Sequence, residues 1–215
     1  MRRCKLNQDP AFRAWVMPRL SFPALVTPAL AALAQTAFDI DRVLILIHRP
    51  DRMALILRFQ ARFDDGELGQ LLSDWWTDVE QPRQYGYRRL LRLFRRVAPL
   101  TNGAEIPTAP LTIYRGVNRK AEAAGISWTT DAWKAVWFAR RLPGLGAPGG
   151  HVYAGEVAPP DVLAMFGDRQ ESEIIVDPRT VRAMRELRAL RPSQPTGESS
   201  AVTPPEVNSC STVRG

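Results

Sequence analysis

Two glutamates, Glu171 and Glu173, mark the candidate site of chemistry in this sequence. They lie two positions apart in the stretch 169–176, which otherwise resembles a buried strand because it ends in Ile174-Ile175-Val176. Side chains alternate along a strand, so both carboxylates share one face. A carboxylate on a covered face is costly unless something binds to it. The alternative is an edge strand whose glutamates simply face water.

Arg115 is the second residue with a chemical implication. The alternating segment 111–116 places it on the apolar face of a predicted strand, at the end of that strand. An arginine that points inward needs an anionic partner. Gly116 follows directly and would let another backbone approach closely.

The elements that must position these residues form a helical first half and a strand-rich second half. Predicted helices cover 64–79, 87–97 and 132–141, and predicted strands cover 111–116, 125–130, 151–157, 161–166 and 169–176. The strand 125–130 carries the hydroxyls of Ser127 and Thr129. The helix after it has Trp133 and Trp137 on one side and is interpreted as a core helix.

Composition restricts the partners and cofactors. The 215 residues include 29 Lys and Arg against 22 Asp and Glu, a net charge of +7, which would favour anionic partners. Of the 29 basic residues 26 are arginine, a bias that weakens this signal, and the Arg face of the helix 87–97 is interpreted as solvated rather than as a nucleic-acid surface. The two cysteines, Cys4 and Cys210, and the two histidines, His48 and His151, have no metal-ligand spacing, so no metal is expected.

Both ends of the chain are harder to interpret. Residues 1–60 are treated as a poorly defined N-terminal arm, and the apolar run 20–34 resembles a signal peptide but is interrupted by Pro23 and Pro28. We therefore expect a cytoplasmic protein that binds no membrane. A short closing helix is predicted over 180–190, and 191–215 is expected to be a disordered tail.

The order of three motifs resembles the ADP-ribosyltransferase family of the Arg-Ser-Glu class. The motifs are Tyr114-Arg115-Gly116, Ser127-Trp128-Thr129-Thr130 and Glu171-Ser172-Glu173. The resemblance covers about 110–180. It implies an α+β fold with split antiparallel β-sheets around an NAD cleft and a helical N-terminal lead-in. The corresponding domain is 61–190, with its lead-in at 64–99.

The resemblance also implies a role for each motif residue. Glu173 would stabilise the ribose as its bond to nicotinamide breaks, with Ser127 or Thr129 steadying its carboxylate. Arg115 would hold the NAD phosphates, next to Tyr114, and the Gly116 backbone would meet the nicotinamide amide. Glu171 favours arginine as the acceptor. The loop 165–170 would meet the target, with Phe166 either exposed there or packed in the core.

The resemblance predicts an NAD-dependent mono-ADP-ribosyltransferase, which we expect to be a monomer. Its acceptor is expected to be a macromolecule, with a protein favoured over a nucleic acid. Two alternatives remain open. The same fold would act as an NAD glycohydrolase if water were the acceptor. A non-catalytic basic module would instead bind nucleic acid through the helix 87–97.

Overall fold

The described residues form an α+β fold, with most of the helices in the first half of the chain and most of the strands in the second half. The computed structural model describes residues 9–22, 38–141, 150–167 and 172–187, with positions 3–4, 6, 24, 27–28 and 31 before them. Six helices in these ranges are α1 Pro10–Val16, α2 Ile40–Leu46, α3 Arg49–Phe59, α4 Asp65–Trp75, α5 Tyr87–Val97 and α6 Ala132–Arg140.

The strands form one small and one large sheet. Their bounds are β1 Arg3–Cys4, β2 Phe38–Asp39, β3 Leu100–Asn102, β4 Leu111–Val117, β5 Ser127–Thr129, β6 His151–Val157, β7 Val162–Phe166, β8 Glu173–Val176 and β9 Arg182–Glu186. β1 pairs with β2, and the other seven form a mixed sheet in the order β3-β7-β8-β5-β4-β6-β9. Only its β3–β7 pair is parallel.

The helices cover one face of the central strands. Phe166 of β7 and Ile175 of β8 belong to the same buried cluster as the apolar residues of α1 to α5. Ile174 and Val176 belong to a second cluster on the opposite face of β8, together with Ile113. The prediction that this strand is covered on both sides is confirmed, and its place between β7 and β5 makes the edge-strand alternative wrong for Glu173.

Local sequence signals set the ends of the helices near the site. Asp64 caps α4 in a capping box with Glu67, and Asp131 caps α6 by accepting from the amides of Trp133 and Lys134. α5 ends before Pro99, as the sequence predicts.

The described part of residues 1–60 contributes the helices α1, α2 and α3. Phe12, Val16, Leu44 and Met53, from α1, α2 and α3, are buried in the same cluster as α4 and α5. The apolar run 43–47 is helical up to Leu46, and Ile47 forms an isolated bridge with Leu20. Periodicity alone cannot decide between helix and strand for so short a run.

The closing helix predicted over 180–190 is wrong. Residues Arg182–Glu186 form β9, which pairs antiparallel with β6 at the sheet edge. Ala183 has a φ of 48°, which an α-helix does not accommodate. Pairing with the open edge of β6 outweighs the helical spacing of Met184 and Leu187. The tail 191–215 lies outside the described residues.

The helix α6 does not bury its large rings, in contrast to the interpretation of this helix as core. Its buried residues are Ala135, Val136 and Ala139, whereas Trp133 and Trp137 are exposed. Gly116 of β4 explains the difference, because a Cβ at that position would collide with the carbonyl oxygen of Ala135. The helix backbone therefore lies directly on the strand, and only small side chains fit between them.

Candidate active site

Three adjacent strands bring the predicted motif residues to one pocket. Arg115 lies on β4, Ser127 on β5 and Glu173 on β8, which are neighbours in the sheet. All three line a pocket of about 390 Å³, together with Tyr114, Gly116 and Thr129. This volume lies within the range of small-molecule sites.

The Glu173 carboxylate is held by two donors. The Ser127 hydroxyl donates to Oε1 of Glu173 at 2.5 Å, and the Trp76 indole nitrogen donates to the same oxygen at 3.0 Å. Hydrogen bonds to an ionised carboxylate are about twice as strong as neutral ones, so the two donors fix the orientation of this side chain.

The pairing register of β5 on β8 sets the positions of Ser127 and Thr129 relative to Glu173. Thr129 pairs with Glu173 and Ser127 with Ile175, so Ser127 reaches Glu173 from a neighbouring position on the ladder. The Thr129 hydroxyl oxygen accepts from the Asp131 amide, where the chain turns into α6. The resemblance left open whether Ser127 or Thr129 steadies the Glu173 carboxylate. The Ser127 hydroxyl donates to it.

Trp76 is a member of the site that the motif pattern did not include. It follows the end of α4 in a short 3-10 turn, Trp76–Asp78, and its ring is fully buried against Phe94, edge to face, with centroids 4.8 Å apart. In the sequence, Trp76 falls within the predicted helix 64–79 at the spacing of its apolar residues, which gives it no polar role. A buried tryptophan usually finds an acceptor for its N–H group, which is the one signal that pointed to a polar role.

An ion-pair cluster anchors the turn that carries Trp76. Asp78 pairs with Arg49, with 2.7 Å between Arg49 Nη2 and Asp78 Oδ1, and also with Arg52, both arginines belonging to α3. Burial raises the pKa of Asp78, but the hydrogen bonds from the two arginines outweigh it and hold that pKa below its usual value. The helix α3 is thereby tied to the turn that carries the site tryptophan.

Arg115 is partly buried beside the carboxylate. Its Nε donates to the carbonyl oxygen of Glu122 at 3.1 Å, and its Nη1 donates to the carbonyl oxygen of Ser127. Burial lowers the pKa of the guanidinium, and the neighbouring Tyr87, Glu122 and Glu173 act in the opposite direction. An arginine has five N–H donors, so the bonds to two carbonyls do not exhaust it.

A glycine makes room for this arginine. A Cβ at Gly125 would overlap the guanidinium of Arg115, so the loop before β5 passes directly beside the charged group. The expectation of an anionic partner for Arg115 is met only in part, because its Nε and Nη1 donate to backbone carbonyls rather than to a carboxylate.

Tyr114 and Gly116 lie on the face of β4 that meets α6. Tyr114 packs against the cluster of Ala135, Val136, Ala139 and Val152. The close backbone approach predicted at Gly116 is that of α6, and its predicted contact with nicotinamide stays a prediction.

Two predictions about the acceptor side have different outcomes. Glu171 lies outside the described residues, as do positions 168–170. Of the two alternatives for Phe166, packing is confirmed and exposure towards the target is wrong, because the ring is 1% exposed. It faces the ring of Phe94 across 6.5 Å, because β7 is an interior strand covered by α5.

A metal site and a membrane span each set a further requirement for the described part of the chain. No group of three or more His, Cys, Asp or Glu side chains there is arranged to hold a metal ion. None of the helices within the described ranges is long and apolar enough to cross a membrane.

Comparisons with protein-family models, with curated proteins and with solved structures find no match to this chain. Its function is therefore inferred from the residues of the site and their geometry.

Proposed function

We propose that this protein is an NAD-dependent mono-ADP-ribosyltransferase. The observation that carries the proposal is the Glu173 carboxylate, held by Ser127 and Trp76 in a pocket that also contains Arg115. The three residue types follow one another along the chain in the order of the Arg-Ser-Glu class that the sequence resembles.

The proposal extends to the fold. β4 and β5 meet at a single registered pair, Tyr114 with Thr129. On either side of this junction the strands form the groups β3-β7-β8-β5 and β4-β6-β9. A sheet divided at that point, with a pocket at the junction, is compatible with the split sheets of the ADP-ribosyltransferase type.

The reaction asks for a fixed negative charge beside a sugar. When the bond between ribose and nicotinamide breaks, its electron pair leaves with nicotinamide and positive charge develops on the ribose. Glu173 would stabilise this charge and accept a hydrogen bond from the 2-hydroxyl. The two donors to Oε1 hold the carboxylate in one orientation before substrate arrives, which is the requirement for electrostatic catalysis.

The cations of the pocket suit the pyrophosphate of NAD. Arg83, Arg115, Arg119 and Arg141 line the pocket, and the charge of Glu173 acts on the Arg115 guanidinium. Guanidinium groups are the preferred partners of phosphate oxygens because their planar donors match phosphate geometry.

The acceptor proposed is an arginine side chain, on the strength of Glu171 in the motif. The acceptor nitrogen would form a bond to the anomeric carbon of ribose and release its proton to a base, for which Glu171 is the candidate. We place the reaction in the cytoplasm, in line with the expectation from the sequence.

The test uses NAD labelled in its ADP-ribose part, with agmatine as a small guanidine acceptor and, separately, a cell lysate. Wild-type protein is expected to label agmatine and lysate proteins, and Glu173→Gln is expected to label neither. Glu156→Gln is the matched control, because Glu156 is an exposed glutamate of β6. Release of free ADP-ribose with no labelled acceptor would replace the transferase with an NAD glycohydrolase. Intact NAD in all samples would refute both.

The structure gives the basic helix α5 a partly structural use. Arg95 pairs with Asp177, and Arg96 pairs with Asp65 at 2.6 Å and donates to the carbonyls of Gln60 and Phe63. Arg88 and Arg92 are exposed. These contacts favour the interpretation of α5 as a packed helix with a solvated face.

A further inference from the structure

Three large rings of α6 are exposed to solvent. Trp133 is 73% exposed, Trp137 55% and Phe138 38%, and the rings of Trp137 and Phe138 meet edge to face with centroids 5.0 Å apart. Soluble proteins expose contiguous apolar surface mainly where something binds. Because Gly116 draws the α6 backbone onto β4, these rings have no room on the inner face.

Positive charge accompanies the rings. The guanidinium of Arg141 lies 5.4 Å from the ring centroids of both Trp137 and Phe138, within cation–π range. Lys134 and Arg140 belong to the same helix. Asp131, the acid at the helix start, accepts from the amides of Trp133 and Lys134. We call Trp133, Trp137, Phe138 and Arg141 the α6 surface.

The α6 surface is continuous with the candidate active site. Phe138 and Arg141 also line the pocket that contains Glu173. Arg119 lines the same pocket and adds positive charge to it. A molecule bound on the α6 surface would therefore lie at the edge of the pocket.

We propose that the α6 surface binds single-stranded nucleic acid. Flat exposed rings next to arginines are the combination that such a strand requires, because its bases stack on the rings while its phosphates pair with the cations. A duplex keeps its bases stacked on one another, so it has fewer ring faces to offer. An anionic membrane supplies the charge but no flat partner for the rings. The net charge of +7 on the whole chain acts in the same direction.

The inference concerns binding and does not depend on NAD chemistry. It differs from the nucleic-acid alternative drawn from the sequence, which used the arginines of α5. It also gives α6 a part in partner choice, since a protein attached to a bound strand would be brought to the pocket.

The test measures fluorescence anisotropy of a labelled single-stranded oligonucleotide, longer than the roughly 4–16 nucleotides of a typical single-strand site, without NAD. Wild-type protein is expected to bind with an affinity that falls steeply with salt. The double variant Trp133→Ser, Trp137→Ser is expected to bind at least roughly tenfold more weakly, because each lost base–ring stack weakens binding. Phe22→Ser is the control, since Phe22 is also a widely exposed ring, at 63%, but lies outside α6.

Three results would overturn the proposal. The first is equal oligonucleotide binding by wild type and the double variant, with circular dichroism showing both folded. The second is binding abolished by Arg88→Ala, Arg92→Ala on α5 but not by the double variant. The third is no oligonucleotide binding by wild type, whether or not the protein binds phosphatidylserine vesicles through the same rings. Because no NAD is present, each of these results leaves the proposed transferase activity untouched.

Discussion

Removal of the Trp76 indole N–H is the sharpest test of how the site is built. Trp76→Phe keeps an aromatic ring opposite Phe94 but deletes the donor that lies 3.0 Å from Glu173 Oε1. A hydrogen bond to a charged group contributes about 1.5–3 kcal/mol, which corresponds to roughly 10- to 150-fold in rate if it is all expressed in the transition state. Ser127 still donates to the same oxygen, so we expect about a tenfold fall in kcat for nicotinamide release.

The neighbouring tryptophan provides a matched control. Trp75 donates its indole N–H to Asp41 Oδ1 at 2.8 Å, so Trp75→Phe removes the same kind of bond one residue away. Both variants should be less stable than wild type. Their melting temperatures set an assay temperature at which both are folded, so that a fall in kcat does not reflect unfolding. Trp75→Phe should keep wild-type kcat, because its partner carboxylate is not in the pocket.

Comparison of the two variants separates orientation of Glu173 from a merely structural role of Trp76. If Trp76→Phe matches Trp75→Phe in kcat, Trp76 does not orient Glu173.

Two further variants test the surroundings of the site. Gly125→Ala should displace the Arg115 guanidinium and raise the Kd for NAD, measured by calorimetry, roughly tenfold or more. Gly66→Ala is the control, because a Cβ fits at Gly66. Equal affinity of the two variants for NAD would contradict this prediction. Asp177→Asn should lower the free energy of unfolding at neutral pH by about 2 kcal/mol, because Arg179 holds the pKa of Asp177 at about 2 in the folded state. Since this pKa is depressed, the stabilisation is present above the unfolded pKa of about 4 and is lost as pH falls through about 2. Urea unfolding curves of wild type and Asp177→Asn should therefore converge near that pH. A difference in unfolding free energy that does not change with pH would contradict the ion pair.

Strong local patterns account for the parts of the fold that the sequence predicted. The helices over 64–79 and 87–97 and the strands over 111–116 and 151–157 carry clear periodicity and end at capping or proline signals, and all four are confirmed. The meeting of Arg115, Ser127 and Glu173 followed from the motif order rather than from periodicity.

The parts that failed depend on long-range packing. β9 is a strand because β6 offers an open edge, and the rings of α6 face outwards because Gly116 admits the helix backbone. Neither cause lies within the segment that it controls. Trp76 was missed for a related reason, because its contact with Glu173 joins residues 97 positions apart and nothing near Trp76 in the sequence indicates it.

The most direct test of the central claim is the rate of nicotinamide release from NAD by wild type, Glu173→Gln and Glu156→Gln. If the Glu173 carboxylate stabilises positive charge on the ribose, Glu173→Gln should be slower by about 100- to 1000-fold, a typical loss for one electrostatic group, while Glu156→Gln should match wild type. Calorimetry should show that Glu173→Gln still binds NAD. Release at the wild-type rate by Glu173→Gln, or no release by wild type, would contradict the account.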